Sequence, residues 1–205
     1  MTASDAAAFD WFGWSVALSG DTALMGAPHD DDGVGDSGSA YIFVRNAGVW
    51  SQQAKLTASD AAASDLFGHS VSVSGDTALI GAYKDDDGGT DSGSAYVFVR
   101  NAGAWSQQAK LTAWDPAADD RFGWSVALCE DTALVGAYLD DDGGSASGAA
   151  YVFVHSAGAW SQQAKLTAMD AAPSDNFGWS VAITGDTALV GAYLDDDGGS
   201  ASGGA

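Results

Sequence analysis

The sequence has very little of several residue types, and each shortage excludes a class of structure. Cys129 is the only cysteine, so neither an internal disulfide nor a cysteine metal cluster can form. Glu130 is the only glutamate, and aspartate, which supplies every other acid, favours turns over helices. No apolar run approaches the roughly 20 residues that span a bilayer. The N-terminal residues lack the basic start and apolar stretch of a secretion signal.

Positive charge is also scarce. Seven lysines and arginines face 28 acidic residues, which gives a formal net charge of −21 at pH 7. Such a surface repels nucleic acid and anionic lipid, and it attracts divalent cations and basic partners. The hydrophobic share of 46% is sufficient for a buried core. We therefore expect a folded chain that does not bind nucleic acid.

The chain consists of internal repeats of 55 residues. Phe-Gly pairs keep this spacing at Phe12, Phe67, Phe122 and Phe177. The same spacing separates Trp50, Trp105 and Trp160, and also the acidic triplets that begin at Asp30, Asp85, Asp140 and Asp195. We divide a single domain, residues 1–205, into units at about 3–57, 58–112, 113–167 and 168–205, of which the last is incomplete.

Each unit carries four short β-strand patterns and no helical period. In the second unit these are GHSVSVS, TALIGA, SAYVFVR and WSQQAKLT, separated by turn residues. The last pattern alternates, which places Lys110 on the face opposite Trp105 and Gln107 and is typical of an outer edge strand. We predict an all-β fold of β-propeller blades with four antiparallel strands each. Three complete blades and a half blade would form an open or fragmentary propeller, with a stacked β-solenoid as the alternative.

The Phe-Gly pairs and a second glycine motif carry a resemblance to a known family. Phe12-Gly13 is followed by Gly26-Ala27-Pro28, and the chain resembles FG-GAP repeat proteins, which include the propeller of the integrin α-subunit. The resemblance implies one blade per repeat and an adhesion or recognition role outside the cell or at its surface. The family's usual calcium loop, between the first two strands of a blade, is here a tight turn such as Ser19-Gly20-Asp21. One carboxylate cannot supply the six to eight oxygens of a calcium site, so we expect a variant that lacks this loop.

The acidic residues are predicted to gather on one rim of the propeller. The triplet lies between the second and third strands, and further aspartates such as Asp5 and Asp60 lie between blades. Both connections are even-numbered in an antiparallel meander, so they should emerge on the same side. In integrin relatives this side faces the ligand. The resemblance therefore implies that the acidic rim is the working surface.

Three interpretations of the acidic triplet remain open. It is a solvated turn in which aspartates accept hydrogen bonds from nearby amides, a divalent cation site such as one for Ca²⁺, or a contact for a basic or metal-bridged partner. Asp36 and Asp91 would add a ligand in the first two units, whereas Ala146 and Ala201 occupy that position later. The candidate metal ligands are Asp30, Asp31, Asp32, Asp36, Asp85, Asp86, Asp87, Asp91, Asp140, Asp141, Asp142, Asp195, Asp196 and Asp197.

The repeated aromatic residues are predicted to pack between blades, because Phe12, Trp14, Phe43 and Trp50 recur in phase. Trp11 and Trp114 break the pattern at loop positions. We therefore predict that these two tryptophans are exposed and bind a partner.

No residue pattern predicts catalysis. His29, His69 and His155 occupy different phases of the repeat, and Ser70 has no partnered base in sequence. We predict a noncatalytic adhesion or recognition module that binds a protein or glycan at the acidic rim. The alternatives are a purely structural acidic segment of a larger secreted protein and a propeller hydrolase. We also expect either a fragment of a longer propeller or self-association through an open blade edge.

Overall fold

The computed structural model describes residues 1–205, and all its regular structure is β-strand. The first unit forms β1 (Val16–Ser19), β2 (Thr22–Ala27), β3 (Ser39–Asn46) and β4 (Val49–Leu56). The second forms β5 (Ser70–Ser74), β6 (Thr77–Ala82), β7 (Ser94–Asn101) and β8 (Ala104–Leu111). The third forms β9 (Ser125–Cys129), β10 (Thr132–Ala137), β11 (Ala149–Ser156) and β12 (Ala159–Leu166), and the fourth forms β13 (Phe177–Thr184) and β14 (Thr187–Ala192). No helix that could cross a membrane is present.

Each unit builds its own antiparallel sheet, as a propeller blade does. The strand orders are β1-β2-β3-β4, β5-β6-β7-β8 and β9-β10-β11-β12, and β13 pairs with β14 alone. In the second unit Ser74 pairs with Thr77, so Gly75 and Asp76 form the predicted two-residue hairpin turn. A solenoid would place strands of successive units in a shared sheet. The prediction of an all-β, propeller-like fold is therefore confirmed.

A β-bulge changes the orientation of the outermost strand. Val97 pairs with Ala109 and Phe98 pairs with Gln107, so Gln108 has no partner in the ladder. Residues paired across strands share a face, and Lys110 pairs with Tyr96, two residues before Phe98. Lys110 thus lies on the same face as Gln107, and the simple alternation predicted for this strand is wrong. β4 and β12 contain the same bulge.

The hydrophobic cores lie between consecutive blades. Leu24 and Ile42 of the first unit form one cluster with Ile80, Tyr96 and Phe98 of the second. Equivalent clusters join the second unit to the third and the third to the fourth. Because each core takes side chains from two units, the units stabilise one another in series.

The aromatic residues predicted to pack between blades behave in two ways. Phe43 is buried, and Phe12 and Trp50 pack against the core of the first blade. Trp14, in contrast, is 54% exposed, so its assignment to the core is wrong. It precedes β1 at the inner end of the blade, where its indole extends from the sheet toward Trp11 and the next unit.

The two glycines of the repeated motif meet across the blade interface. A Cβ added to Gly81 would fall 2.9 Å from the carbonyl carbon of Gly123, the glycine after Phe122, and closer still to its oxygen. Ser70 Oγ donates a hydrogen bond to that same carbonyl at 2.7 Å. Gly123 itself has φ of +88°, a left-handed conformation that favours glycine. The motif is therefore explained by close backbone packing between units.

Candidate functional site

The acidic connections lie on one rim, as their even-numbered positions predicted. Asp5 precedes the first blade and Asp30 follows β2, yet their carboxylates lie 2.9 and 3.0 Å from the same Lys55 ammonium. The connection into the second blade also bonds to the preceding triplet loop, since Phe67 N donates to Ser37 O at 2.9 Å. We call this side the acidic rim. It consists of the triplet loops and the connections between blades.

The first aspartate of each triplet holds its own loop together. Asp85 Oδ1 accepts a hydrogen bond from Asp87 N at 3.1 Å, and Asp85 Oδ2 accepts one from Tyr96 Oη at 2.7 Å. Asp85 is 3% exposed. The backbone bond is an Asx-type turn, and Gly89 has φ of +143° in the same loop. The interpretation of the triplet as a hydrogen-bonded turn is therefore confirmed for its first residue.

A lysine ammonium occupies the centre of the acidic groups in three units. Lys165 Nζ lies 2.9 Å from Asp115, 2.8 Å from Asp140 and 2.6 Å from Asp142. Lys110 contacts the equivalent Asp60, Asp85 and Asp87. We call each set of three carboxylates an acid cluster. In the first two units the cluster oxygens lie within 4.8 Å of one another, a spacing that could hold a metal ion.

The pKa shifts follow from this pairing. Burial raises the pKa of Asp85, but hydrogen bonds from Lys110 and Tyr96 outweigh burial and hold that pKa below its usual value. Burial lowers the pKa of Lys110, and its three carboxylate partners reverse that effect, so the pKa is raised. Burial and the Asp85 carboxylate both raise the pKa of Tyr96. At pH 7 the cluster therefore contains Lys110 as an ammonium, Asp85 as a carboxylate and Tyr96 as a neutral phenol.

The other predicted metal ligands are divided among different partners. The middle aspartates of the triplets are exposed: Asp31, Asp86, Asp141 and Asp196. The Asp36 carboxylate lies 3.0 Å from His29 Nδ1, and the Asp91 carboxylate lies 2.8 Å from Arg121. Asp36 therefore pairs with a histidine and Asp91 with an arginine, both outside the acid clusters. Asp36 and Asp91 have φ of +54° and +51°. Ala146 and Ala201, the equivalent residues of the third and fourth units, have the same left-handed conformation.

The fourth acid cluster lies in the incomplete unit, in which the sequence ends before the position equivalent to Lys165. Its members are Asp170, Asp195 and Asp197, and Asp195 Oδ1 accepts the usual hydrogen bond from Asp197 N at 3.1 Å. The neighbouring Asp170 carboxyl raises the pKa of Asp197. Like charges thus meet at this cluster.

The two tryptophans predicted to contact a partner are both exposed, but they lie in different surroundings. Trp114 is 61% exposed and stacks on no aromatic ring. Trp11 is 50% exposed, stacks on Trp14 with ring centroids 5.2 Å apart, and contacts His29. The structure does not bring Trp11 and Trp114 together.

Sequence reasoning missed three features of this surface. The acid-cluster lysines recur every 55 residues, in phase with the triplets, and this spacing is visible in the sequence. The face of the strand on which they lie is not, because it depends on the bulge. The tyrosines Tyr41, Tyr96 and Tyr151 share that phase. Histidines without a common motif are also brought together, because His29 and His69 line one cavity.

Comparison with known proteins settles the family. The family model described as FG-GAP repeat matches residues 1–43, 50–98, 105–153 and 160–205. The chain belongs to the FG-GAP repeat family. No curated protein gives a significant sequence match.

One solved structure supports the fold of this FG-GAP repeat chain. The crystal structure of Saccharomyces cerevisiae Sqt1 is similar at a TM-score of 0.50 with 11% sequence identity. The similarity covers 81% of this chain and 38% of that one. At this identity the likeness concerns fold alone. The FG-GAP repeats thus form a propeller-like repeat module.

The acidic rim predicts an unusual pH dependence of stability. Burial raises the pKa of Asp65 and of Asp120 to about 6, well above the 3.8 of an unfolded aspartate. Folding therefore favours the protonated form, and the destabilisation is present above pH 6 and disappears as the pH falls toward 3.8. Acid-cluster carboxylates with lowered pKa, such as Asp85, act oppositely, and their contribution is lost below about pH 4. The pKa of His69, which burial lowers to about 4, opposes this rise, because the unfolded histidine takes up a proton below pH 6.5. We expect the melting temperature to rise by only about 2 °C from pH 7.5 to pH 5 and to fall below pH 4.

Calorimetry of a variant carrying Asp65→Asn and Asp120→Asn checks this prediction. The variant should melt higher than the parent at pH 7.5 and should lose stability between pH 7.5 and 5, because the two aspartates no longer offset the protonation of the unfolded His69. The exposed Asp186→Asn serves as control and should keep the parent's profile. A double variant with an unaltered slope would contradict the assignment.

Proposed function

We propose that this FG-GAP repeat chain is a noncatalytic recognition module and that the acidic rim is its binding surface. The observation that carries the proposal is the position of the middle aspartates. In three units a lysine pairs with the acid cluster and offsets part of its negative charge, while Asp31, Asp86 and Asp141 stay exposed on the same rim. Repeated exposed carboxylates suit several equivalent contacts with a protein or glycan partner, as adhesion requires.

The proposal includes divalent cation binding, with Ca²⁺ as the candidate. In the first three units the ammonium already takes the position between the carboxylates, so a cation there would have to displace a partly buried lysine. In the fourth acid cluster, Asp170, Asp195 and Asp197 are the oxygen ligands that would hold the ion. Calcium would supply charge balance at this loop and a bridge to a partner's acidic or hydroxyl groups.

Titration with CaCl₂ tests the cation proposal. We expect calorimetric heat and a raised melting temperature for the parent chain. Asp197→Asn should remove most of both effects, because it deletes one ligand of the fourth acid cluster. Asp131→Asn, which lies in the β9–β10 turn at the opposite end of its blade, is the matched control and should leave both effects unchanged. A parent chain that gives no heat and no shift would exclude calcium.

The absence of a partnered nucleophile supports the noncatalytic role. Ser70 Oγ and Ser125 Oγ each donate to a backbone carbonyl at 2.7 Å, and His69 Nδ1 faces the Trp124 carbonyl at 3.3 Å. These groups are engaged in structural contacts. Turnover of glycosidic or ester substrates by the purified chain would overturn this part of the proposal.

Two further properties are proposed with the function. Membership of the FG-GAP repeat family supports a place outside the cell or at its surface, which fractionation of the source cells would test. Self-association is supported by the open face of the first blade: Leu18 is 67% exposed, whereas the equivalent Val73 and Leu128 are buried. Val16 is 69% exposed, whereas the equivalent Val71 and Val126 are partly buried. A sedimentation coefficient that stays constant with concentration would exclude self-association.

A further inference from the structure

A continuous row of aromatic rings crosses the units beside the innermost strands. The row consists of the residue that comes directly after each Phe-Gly pair: Trp14, His69, Trp124 and Trp179. Neighbouring ring centroids in this row are 5.8, 4.5 and 4.8 Å apart. Trp14, His69 and Trp124 precede the first strand of their blades and Trp179 lies near the start of β13, so the row lies on the rim that carries the acidic loops.

A cavity opens on this row between the first and second blades. Its volume is about 360 Å³, and its walls include Trp11, Trp14, His69, Tyr83, Lys84 and Trp124. We call it the aromatic groove. This volume lies within the range of small-ligand sites, roughly 300–1,000 Å³. Trp11 and Trp14 stack on one another and are each about half exposed, so the part of each ring outside the stack is open to a ligand.

The groove also contains the one lysine that has no carboxylate partner. Lys55, Lys110 and Lys165 each contact three aspartates, whereas no carboxylate lies within 4.0 Å of Lys84 Nζ. The Lys84 ammonium instead lies 6.0 Å from the Tyr83 ring centroid. In a chain with 28 acidic residues this isolation leaves three N–H donors available beside an aromatic surface.

Residues at the groove differ between units whose strands are almost identical. The position before each Phe-Gly pair is Trp11, Leu66, Arg121 or Asn176. The position after the second motif is His29, Lys84, Leu139 or Leu194. In contrast, the sequence WSQQAKL recurs unchanged in β4, β8 and β12. The strand side chains are therefore repeated, whereas groove residues such as Trp11, His29 and Lys84 differ from their counterparts in the other units, which is typical of a site that meets one ligand.

Charge restricts the class of ligand. The net charge of −21 disfavours an anionic polymer, and Lys84 together with Arg121, 5.5 Å from the Tyr83 ring centroid, disfavours a cation inside the groove. Burial lowers the pKa of His69 to about 4, so this ring is neutral at pH 7. The groove thus combines open aromatic faces with donors that seek oxygen acceptors. We infer that the aromatic groove binds a neutral saccharide, with a pyranose ring stacked on Trp14 and hydroxyl oxygens bonded to Lys84.

This inference deepens the proposed recognition role by naming a ligand class and a place on the same rim. The test is tryptophan fluorescence, supported by calorimetry, with two neutral probes: maltohexaose and cellohexaose. We expect saturable binding of at least one probe by the intact chain at millimolar concentration. Trp14→Ala and Lys84→Met should each weaken it about tenfold, whereas Trp14→Phe, which keeps an aromatic face, should retain most of it.

Controls separate the groove from the rest of the surface. Trp114→Ala removes an exposed tryptophan outside the groove and should leave saccharide affinity unchanged. Asp197→Asn, which tests the cation proposal, should also leave it unchanged, so the two ideas fail independently. Lack of binding by both neutral probes overturns the inference. So does preferential binding of hexagalacturonate, or of decaproline as a neutral peptide that docks on aromatic surfaces.

Discussion

Replacing Gly81 by alanine is expected to destabilise the protein strongly. The new Cβ would meet the backbone carbonyl of Gly123, and that carbonyl is held by Ser70 Oγ on one side and by the next blade on the other. A backbone atom between two packed sheets cannot move aside cheaply, so the blades must separate. We expect a loss of about 3 kcal/mol and a melting temperature lower by about 10 °C.

Thermal unfolding followed by circular dichroism measures this effect. Gly35→Ala is the matched control, because a Cβ at Gly35 meets no atom within 4 Å and its φ is not in the left-handed region. Gly136→Ala repeats the test at the next interface, against Gly178. If Gly81→Ala melts with the parent, the two glycines do not fix the distance between blades.

The architecture was predictable because the repeat constrains it so strongly. Four in-phase copies of Phe-Gly fix the unit length, and strand patterns bounded by residues such as Gly75 fix four strands per unit. The position of the acidic rim could be predicted from the order of the strands alone, because even-numbered connections of an antiparallel sheet emerge on the same side. Contacts of Lys55 with both Asp5 and Asp30 confirm it.

The chemistry of the rim was less predictable, for a specific physical reason. Face assignment from alternation assumes that every residue advances the ladder by one step, and the bulge at Gln108 breaks that assumption. Alternation therefore predicted that Lys110 lies on the exposed face of an outer edge strand. In the structure its ammonium lies within the acid cluster instead. The bulged Gln108 also has a defined role, since its Oε1 accepts a hydrogen bond from Trp160 Nε1 of the next blade at 2.9 Å.

Exposure of the aromatic row could not be read from periodicity either. Trp14 recurs in phase just as the buried Phe43 does, because both packing and surface features repeat in a repeat protein. What distinguishes them is the end of the blade on which they lie. The sequence does show which positions differ between units, such as Leu66 in the second and Arg121 in the third. These differences indicate where the groove lies.

The acid clusters also explain how a chain of charge −21 stays folded. Each lysine neutralises carboxylates from two connections and thereby ties the entry of a blade to the loop between its second and third strands. A buried carboxylate such as Asp85 is tolerable only while its ammonium partner is present. The lysine thus performs the task that a metal ion performs in other acidic loops.

Lys110→Met should therefore convert a structural cluster into a cation-dependent one. Removing the ammonium leaves Asp60, Asp85 and Asp87 facing one another around a space lined by oxygens. We expect a loss of about 3 kcal/mol in the presence of a chelator, since the partners of a buried charge are left unpaired. Millimolar Ca²⁺ should restore a large part of that stability, because the three carboxylates match the ligands calcium prefers.

Melting curves with EDTA and with CaCl₂ measure both halves of this prediction. Lys84→Met, which removes a lysine without carboxylate partners, should match the parent in either buffer. Adding Asp85→Asn to Lys110→Met should reduce the loss in EDTA and weaken the response to calcium, because one of the three repelling oxyanions is gone. A Lys110→Met variant as stable as the parent in EDTA would mean that the ammonium does not hold the loop and the blade entry together.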